Sequence, residues 1–379
     1  MKVESTKTPL IAVVLLSAFI LNACNDEENA PKEKSGEVSW IIDNGVPITA
    51  QPIANDAMVI VEQGTVLRAL DAKSGKTIWQ FQGLQVANVD AAYSYRKPLI
   101  VDGIVYWAMA WGMVYAIDIN TGREIWKYKA STGYREMGIP NESFLLPPVY
   151  KNGMLCVLSH QGRLMLIDTA NGQLLWENKV LCTPQSLMLW RSNKIIVGDK
   201  CSYFNVTAFD AATGQTAWVS PTRNRPGLFL HGDEEYIFIK EESVIKGLDI
   251  STGAVQYQCN VQEEDRSVTF VSSKYIFVAS YDMIYAYNKQ SKNKVWEYPI
   301  SKGVYNSPYL AGNHLFVGDT ESLFALDVDS GEVLWKKKLY EYVTLPGGLI
   351  DTYSHVSTSA VNNGFVYAVH KDKLFAIKR

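Results

Sequence analysis

Cysteine is scarce in this sequence: the five residues at positions 24, 156, 182, 201 and 259 include no adjacent pair and no C-x-x-C. That spacing speaks against a thiolate metal site or a dithiol redox motif. Cys182 and Cys201 flank one expected strand pair and leave two states open, a bridge in an oxidising compartment or buried thiols. Histidine is as thin, with five scattered residues (His160, His231, His314, His355, His370) that share no ligand spacing, so no metal site is expected. Walker and G-x-S-x-G patterns are missing. Basic blocks are missing too, and the net charge is −3, which argues against nucleic acid or a polybasic membrane patch. The apolar run from Leu10 to Leu21 is too short to cross a bilayer comfortably.

What is present begins with that run. Lys2 and Lys7 precede it and Leu21-Asn22-Ala23-Cys24 follows, which reads as a signal peptide over residues 1–23. A small residue before Cys24 resembles the bacterial lipobox, a resemblance that implies lipidation of Cys24 and attachment to a membrane through the lipid. Residues 24–36 are polar and charged without periodicity, the composition of a flexible tether. Asn25 is not the Asp that resembles an inner-membrane retention signal, so outer-membrane sorting is expected. Asp26-Glu27-Glu28 either resembles a surface-export signal or is solvated linker charge, which leaves a periplasmic and a surface-facing location both open.

From residue 37 onward one pattern recurs. Val114 to Trp126 reads as an alternating strand ending at Asp118, a Thr-Gly turn and a second strand closing on Trp126, the signature of a hairpin. Copies end at Trp79, Trp176, Trp218, Tyr257, Trp296 and Trp335, and an eighth begins at Leu374 and stops at Arg379. The missing closing strand stands at the other end of the chain, around Trp40, 39 residues before Trp79. A period near 40 made of strands alone predicts four-stranded blades around an axis. The fold expected is therefore all-β: an eight-bladed β-propeller over residues 37–379, a monomeric ring whose C-terminal blade is completed by the N-terminal strand. Asp71, Asp118, Asp168, Asp210, Asp249 and Asp327 all occupy the same turn position, so a structural role is expected of them rather than catalysis.

Extra residues collect in three connections between one blade and the next, 82–97, 130–146 and 339–357, which cross one rim toward the axis in neighbouring sectors. They carry Tyr93, Tyr95 and Arg96; Tyr134, Arg135 and Phe144; and Tyr340, Tyr342, Tyr353 and His355. Aromatics mixed with Arg suit a protein partner or stacking against sugar rings; the alternative is that they plug the channel mouth.

The A-x-D-x-x-T-G-x-x-x-W pattern, clearest in Ala116–Trp126 and Ala208–Trp218, resembles the repeat of the pyrroloquinoline quinone (PQQ)-like β-propellers. That family includes quinoprotein dehydrogenases and BamB-type outer-membrane assembly lipoproteins. The dehydrogenases are longer, and the resemblance implies for them a calcium constellation, a Trp floor under the quinone and often an adjacent Cys-Cys pair; no positions here match these. Size, lipobox, eight repeats and closing strand resemble the BamB type. That resemblance implies a non-enzymatic scaffold without cofactor, binding an envelope protein such as an outer-membrane barrel assembly subunit. A glycan-binding lipoprotein using Tyr93, Tyr95, Tyr134 and Tyr353 is the alternative, and a PQQ-dependent dehydrogenase the third reading.

Overall fold

The computed structural model describes residues 36–84, 96–130, 143–180, 183–184, 188–200, 204–222, 231–233, 235–262, 268–300, 303–304, 308–340, 356–362 and 364–379. The signal peptide, Cys24, the tether, Cys182 and Cys201 lie outside them. Residues Gly36–Arg379 form one compact unit.

Eight antiparallel sheets follow one another along the chain. In each blade a short inner strand a leads to strands b, c and d; in blade 1 these are Ile53–Ala54, Met58–Gln63, Val66–Asp71 and Thr77–Gln82. Blade 4 adds a second short inner segment, Thr183–Pro184. Blade 8 is built from both ends of the sequence, because Val38–Asp43 pairs antiparallel with Lys373–Lys378, Ile41 facing Phe375. The expected closure is thus observed.

Apolar residues pack between blades rather than around one centre: eight clusters each draw on two neighbouring blades, and the last joins blade 8 to blade 1. Strands b and c carry these residues on both faces, so Met58–Gln63 is buried at every position, as expected of strands covered on both sides. Strand d is the outer edge and alternates, with Trp79 and Trp126 turned inward between exposed neighbours.

The repeat residues build the seams. The aspartate closes its own turn: Asp118 Oδ1 accepts from the Thr121 amide at 2.8 Å and the Thr121 hydroxyl at 2.7 Å. These bonds hold its carboxyl below the usual range and serve structure. The glycine then receives the preceding blade's indole. A Cβ on Gly122 would sit 2.7 Å from Trp79, and one on Gly172 2.7 Å from Trp126. Six of these indoles also donate across the seam, among them Trp79 to Ile119 O at 2.7 Å, Trp126 to Thr169 O at 2.7 Å and Trp40 to Ala72 O at 3.1 Å.

Candidate binding face

Strand d runs back toward the b–c turn of its own blade, so every connection to the next blade leaves from one face. Gly83 N donates to Thr65 O, Ala130 N to Gly112 O and Leu339 N to Glu321 O, at 2.9, 2.9 and 2.8 Å. The described ends of the three enlarged connections therefore share a face, at the junctions of blades 1 and 2, 2 and 3, and 7 and 8.

A fourth crossing fills the sector between them. Residues 44–52, which link the closing strand to blade 1, lie over blades 8, 1 and 2. Ile48 N donates to Lys371 O at 3.1 Å, Thr49 N to Glu62 O at 3.1 Å and Gln51 N to Arg96 O at 2.8 Å. The Gln63 amide holds the same segment by donating to Val46 O at 2.8 Å.

At the centre of these crossings is a buried charge pair. Glu62, 1% exposed, accepts from Arg96 at 2.5 Å and from the Thr49 hydroxyl at 2.9 Å, while its other oxygen accepts from the Trp107 indole at 2.6 Å. Both carboxylate oxygens are engaged by groups from three parts of the chain, the condition under which a buried ion pair is tolerated. Sequence reading passed over Glu62 because it stands in an ordinary apolar strand. The signal available was an acid in Met58–Gln63 with an arginine near the end of the next connection.

Three residues expected to be contact residues are described, and two require correction. Arg96 is buried, anchoring its connection to blade 1 rather than facing a partner. Phe144 is 1% exposed, in the core between blades 2 and 3, where its backbone bridges Ser159. An apolar ring next to a seam lowers its free energy by filling it. Tyr340 is half-buried and stacks on His370 with ring centroids 4.1 Å apart. Tyr93, Tyr95, Tyr134, Arg135, Tyr342, Tyr353 and His355 lie outside the described residues.

Toward the axis, Lys97 of the first connection places its ammonium 5.4 Å from the centre of the Tyr309 ring, on the inner strand of blade 7. Burial pulls its pKa down to about 8. Cys156 is buried within the seam between blades 3 and 4, Cys259 within that between blades 5 and 6, and both are free thiols. Among the described residues no three His, Cys, Asp or Glu side chains converge as metal ligands would.

Eight blades, tryptophan–glycine seams and a single elaborated face define a PQQ-like repeat propeller. The chain belongs to the family described as outer membrane protein assembly factor BamB, which matches residues 28–220 and 241–379. It is similar in structure to BamB from Moraxella catarrhalis, with a TM-score of 0.63 at 15% identity over 91% of this chain and 100% of that one. It is also similar to the quinohemoprotein alcohol dehydrogenase from Comamonas testosteroni, with a TM-score of 0.67 at 12% identity over 91% of this chain and 76% of that one. In sequence it is 26% identical over 301 residues to the dehydrogenase subunit of a quinone alcohol dehydrogenase from Komagataeibacter europaeus. That match covers 72% of this chain and 38% of the relative, so the chain spans well under half of that protein's length.

Proposed function

We propose that this chain is a non-enzymatic scaffold of the bacterial outer membrane, lipid-anchored through Cys24, that binds an envelope protein through the face bearing its enlarged connections. One observation carries the reading: the described ends of all three enlarged connections leave from one face and frame the 44–52 crossing, which the buried Glu62–Arg96 pair fixes in place. A rigid base under elaborated loops is the arrangement that lowers the entropic cost of binding a protein surface. Membership of the BamB family supports an outer-membrane assembly subunit as the class of partner.

The dehydrogenase relatives raise the question of a quinone. Two observations favour the scaffold reading over a quinone site: among the described residues no acidic cluster is gathered for a cation, and the two described thiols are buried in separate seams. Affinity capture of the full chain from solubilised envelopes tests the proposal. Recovery of a membrane-barrel component, lost when the 339–357 connection is replaced by a short Gly-Ser turn, is expected. Recovery of no envelope protein, or capture indifferent to that replacement, would sink it.

A further inference from the structure

The seam between blades 5 and 6 departs from the other seven at each position that builds it. Tyr257 stands where those seams have tryptophan, and Lys292, at φ 63°, stands where they have glycine. Asn288 replaces the aspartate found in six of the other turns, and Gly247 lies under Tyr257 with room for no Cβ, which would come within 2.8 Å of it. The seam still holds: the Tyr257 hydroxyl donates to Lys289 O at 2.8 Å, the bond that an indole makes elsewhere. The smaller ring fills less of the space, and a cleft of about 480 Å³ opens on the face of the c–d turns, opposite the enlarged connections. That volume is within the range of small-molecule sites, ~300–1,000 Å³.

The charges around the cleft are unevenly committed. Lys289 is paired with Asp233, and Lys274 with Asp329 at 2.7 Å. Lys292 has no carboxylate partner among the described residues; its ammonium is held 4.9 Å from the centre of the Tyr257 ring. A lysine backbone in the left-handed region costs roughly 1 kcal/mol relative to glycine, so the position is occupied at a cost to stability. Asn288 commits Oδ1 to the Gln290 and Ser291 amides at 3.0 and 2.8 Å. Its other terminal atom is an amide nitrogen, a donor where the six aspartates have a second carboxylate oxygen. Ser273, Gln290 and Glu235 complete the lining.

The chemistry left over is one preorganised ammonium for an anion, beside amides, a hydroxyl and a single carboxylate suited to neutral hydroxyl groups. Glu235 disfavours a bare multivalent anion but accepts from hydroxyls. We propose that the cleft at the seam of blades 5 and 6 binds a polyhydroxylated anion, a sugar bearing a carboxylate or phosphate group. Lys292 takes the charge, and Asn288, Gln290 and Glu235 take the hydroxyls.

Titration calorimetry on the full chain with glucuronate, glucose 6-phosphate, glucose and inorganic phosphate tests this. The sugar anions are expected to bind at least ~tenfold more tightly than glucose or phosphate, a difference of ~1.4 kcal/mol. Binding by glucuronate alone assigns a carboxylate ligand, by glucose 6-phosphate alone a phosphate ligand. The Tyr257→Trp, Lys292→Gly double variant restores the residue pair of the other seams, so it folds with the cleft closed and its affinity falls ~tenfold or more. Silence toward both sugar anions, equal binding of glucose or phosphate, or undiminished affinity in the folded double variant would each overturn the proposal.

Discussion

A glycine in this ring has one of two tasks, and space tells them apart. Gly103 and Gly122 both have positive φ, 78° and 69°, but a Cβ on Gly103 would meet only Ile119 at 4.0 Å, whereas one on Gly122 would meet Trp79 at 2.7 Å. Beside Gly103, Asp102 adopts φ 49° without a glycine's freedom. Gly103→Ala should therefore cost roughly 1–2 kcal/mol, the left-handed backbone term alone. Gly122→Ala adds an overpacked indole and should cost roughly 2–4 kcal/mol. Urea denaturation of the two variants checks this; equal losses would mean that the glycine is selected for conformation only and the indole contact is incidental.

At the scale of elements, legibility followed periodicity. The c–d hairpins were readable because turn chemistry and tryptophan recur in fixed register, and the same register placed Trp40 beside the last strand. The inner strands were not, since Ile53–Ala54 and His231–Gly232 are only two residues long and are positioned by neighbours rather than by any pattern of their own. The face carrying the enlarged connections was half legible. Loop length marked it, but composition misled on Arg96 and Phe144, because an arginine or an aromatic in a long connection reads alike whether it faces solvent or the core. Glu62 escaped for the converse reason: in a strand buried on both faces, alternation no longer signals which residues are inside.

The 44–52 crossing and the first connection are joined through that acid. Glu62→Leu alone leaves the Arg96 guanidinium buried without its carboxylate and should cost about 3–5 kcal/mol. Replacing both, Glu62→Leu with Arg96→Met, should recover much of the loss, because an apolar pair can substitute for a buried ion pair of similar volume. A double-mutant cycle by chemical denaturation measures the coupling. Additive losses in the double variant would show that the two side chains act independently and that the face is not clamped at this point.

For the whole ring, the question is how a closed structure is sealed by chain segments that share no covalent link. Blade 8 rebuilds the missing turn from both ends. Gly36 N donates to Lys378 O and Lys378 N to Glu37 O, both at 2.9 Å, as Gly75 N donates to Asp71 O at 2.9 Å and Asp71 N to Lys76 O at 2.8 Å in blade 1. The Lys378–Glu37 pair at 3.0 Å bridges the gap from outside, though both side chains are exposed and add little. Gly36 lies against Trp335, where an added Cβ would be 3.1 Å from the ring. One bond is not rebuilt: the buried Trp335 indole N–H has no partner among the described residues, whereas that of Trp296, one seam earlier, donates to Val328 O at 2.9 Å. Among the described residues the sealing seam therefore has one buried hydrogen bond fewer, a bond worth ~1 kcal/mol. Trp296→Phe removes both a bond and ring area, while Trp335→Phe removes ring area and, among the described residues, no hydrogen bond. Trp296→Phe should therefore be the more destabilising by roughly 1–2 kcal/mol. Amide exchange should find blade 8 opening below the global unfolding free energy, since local openings start where stabilising contacts are fewest. Equal stability loss in the two variants, with blade 8 protected as well as blade 7, would mean that the ring is sealed as firmly where its ends meet as where the chain is continuous.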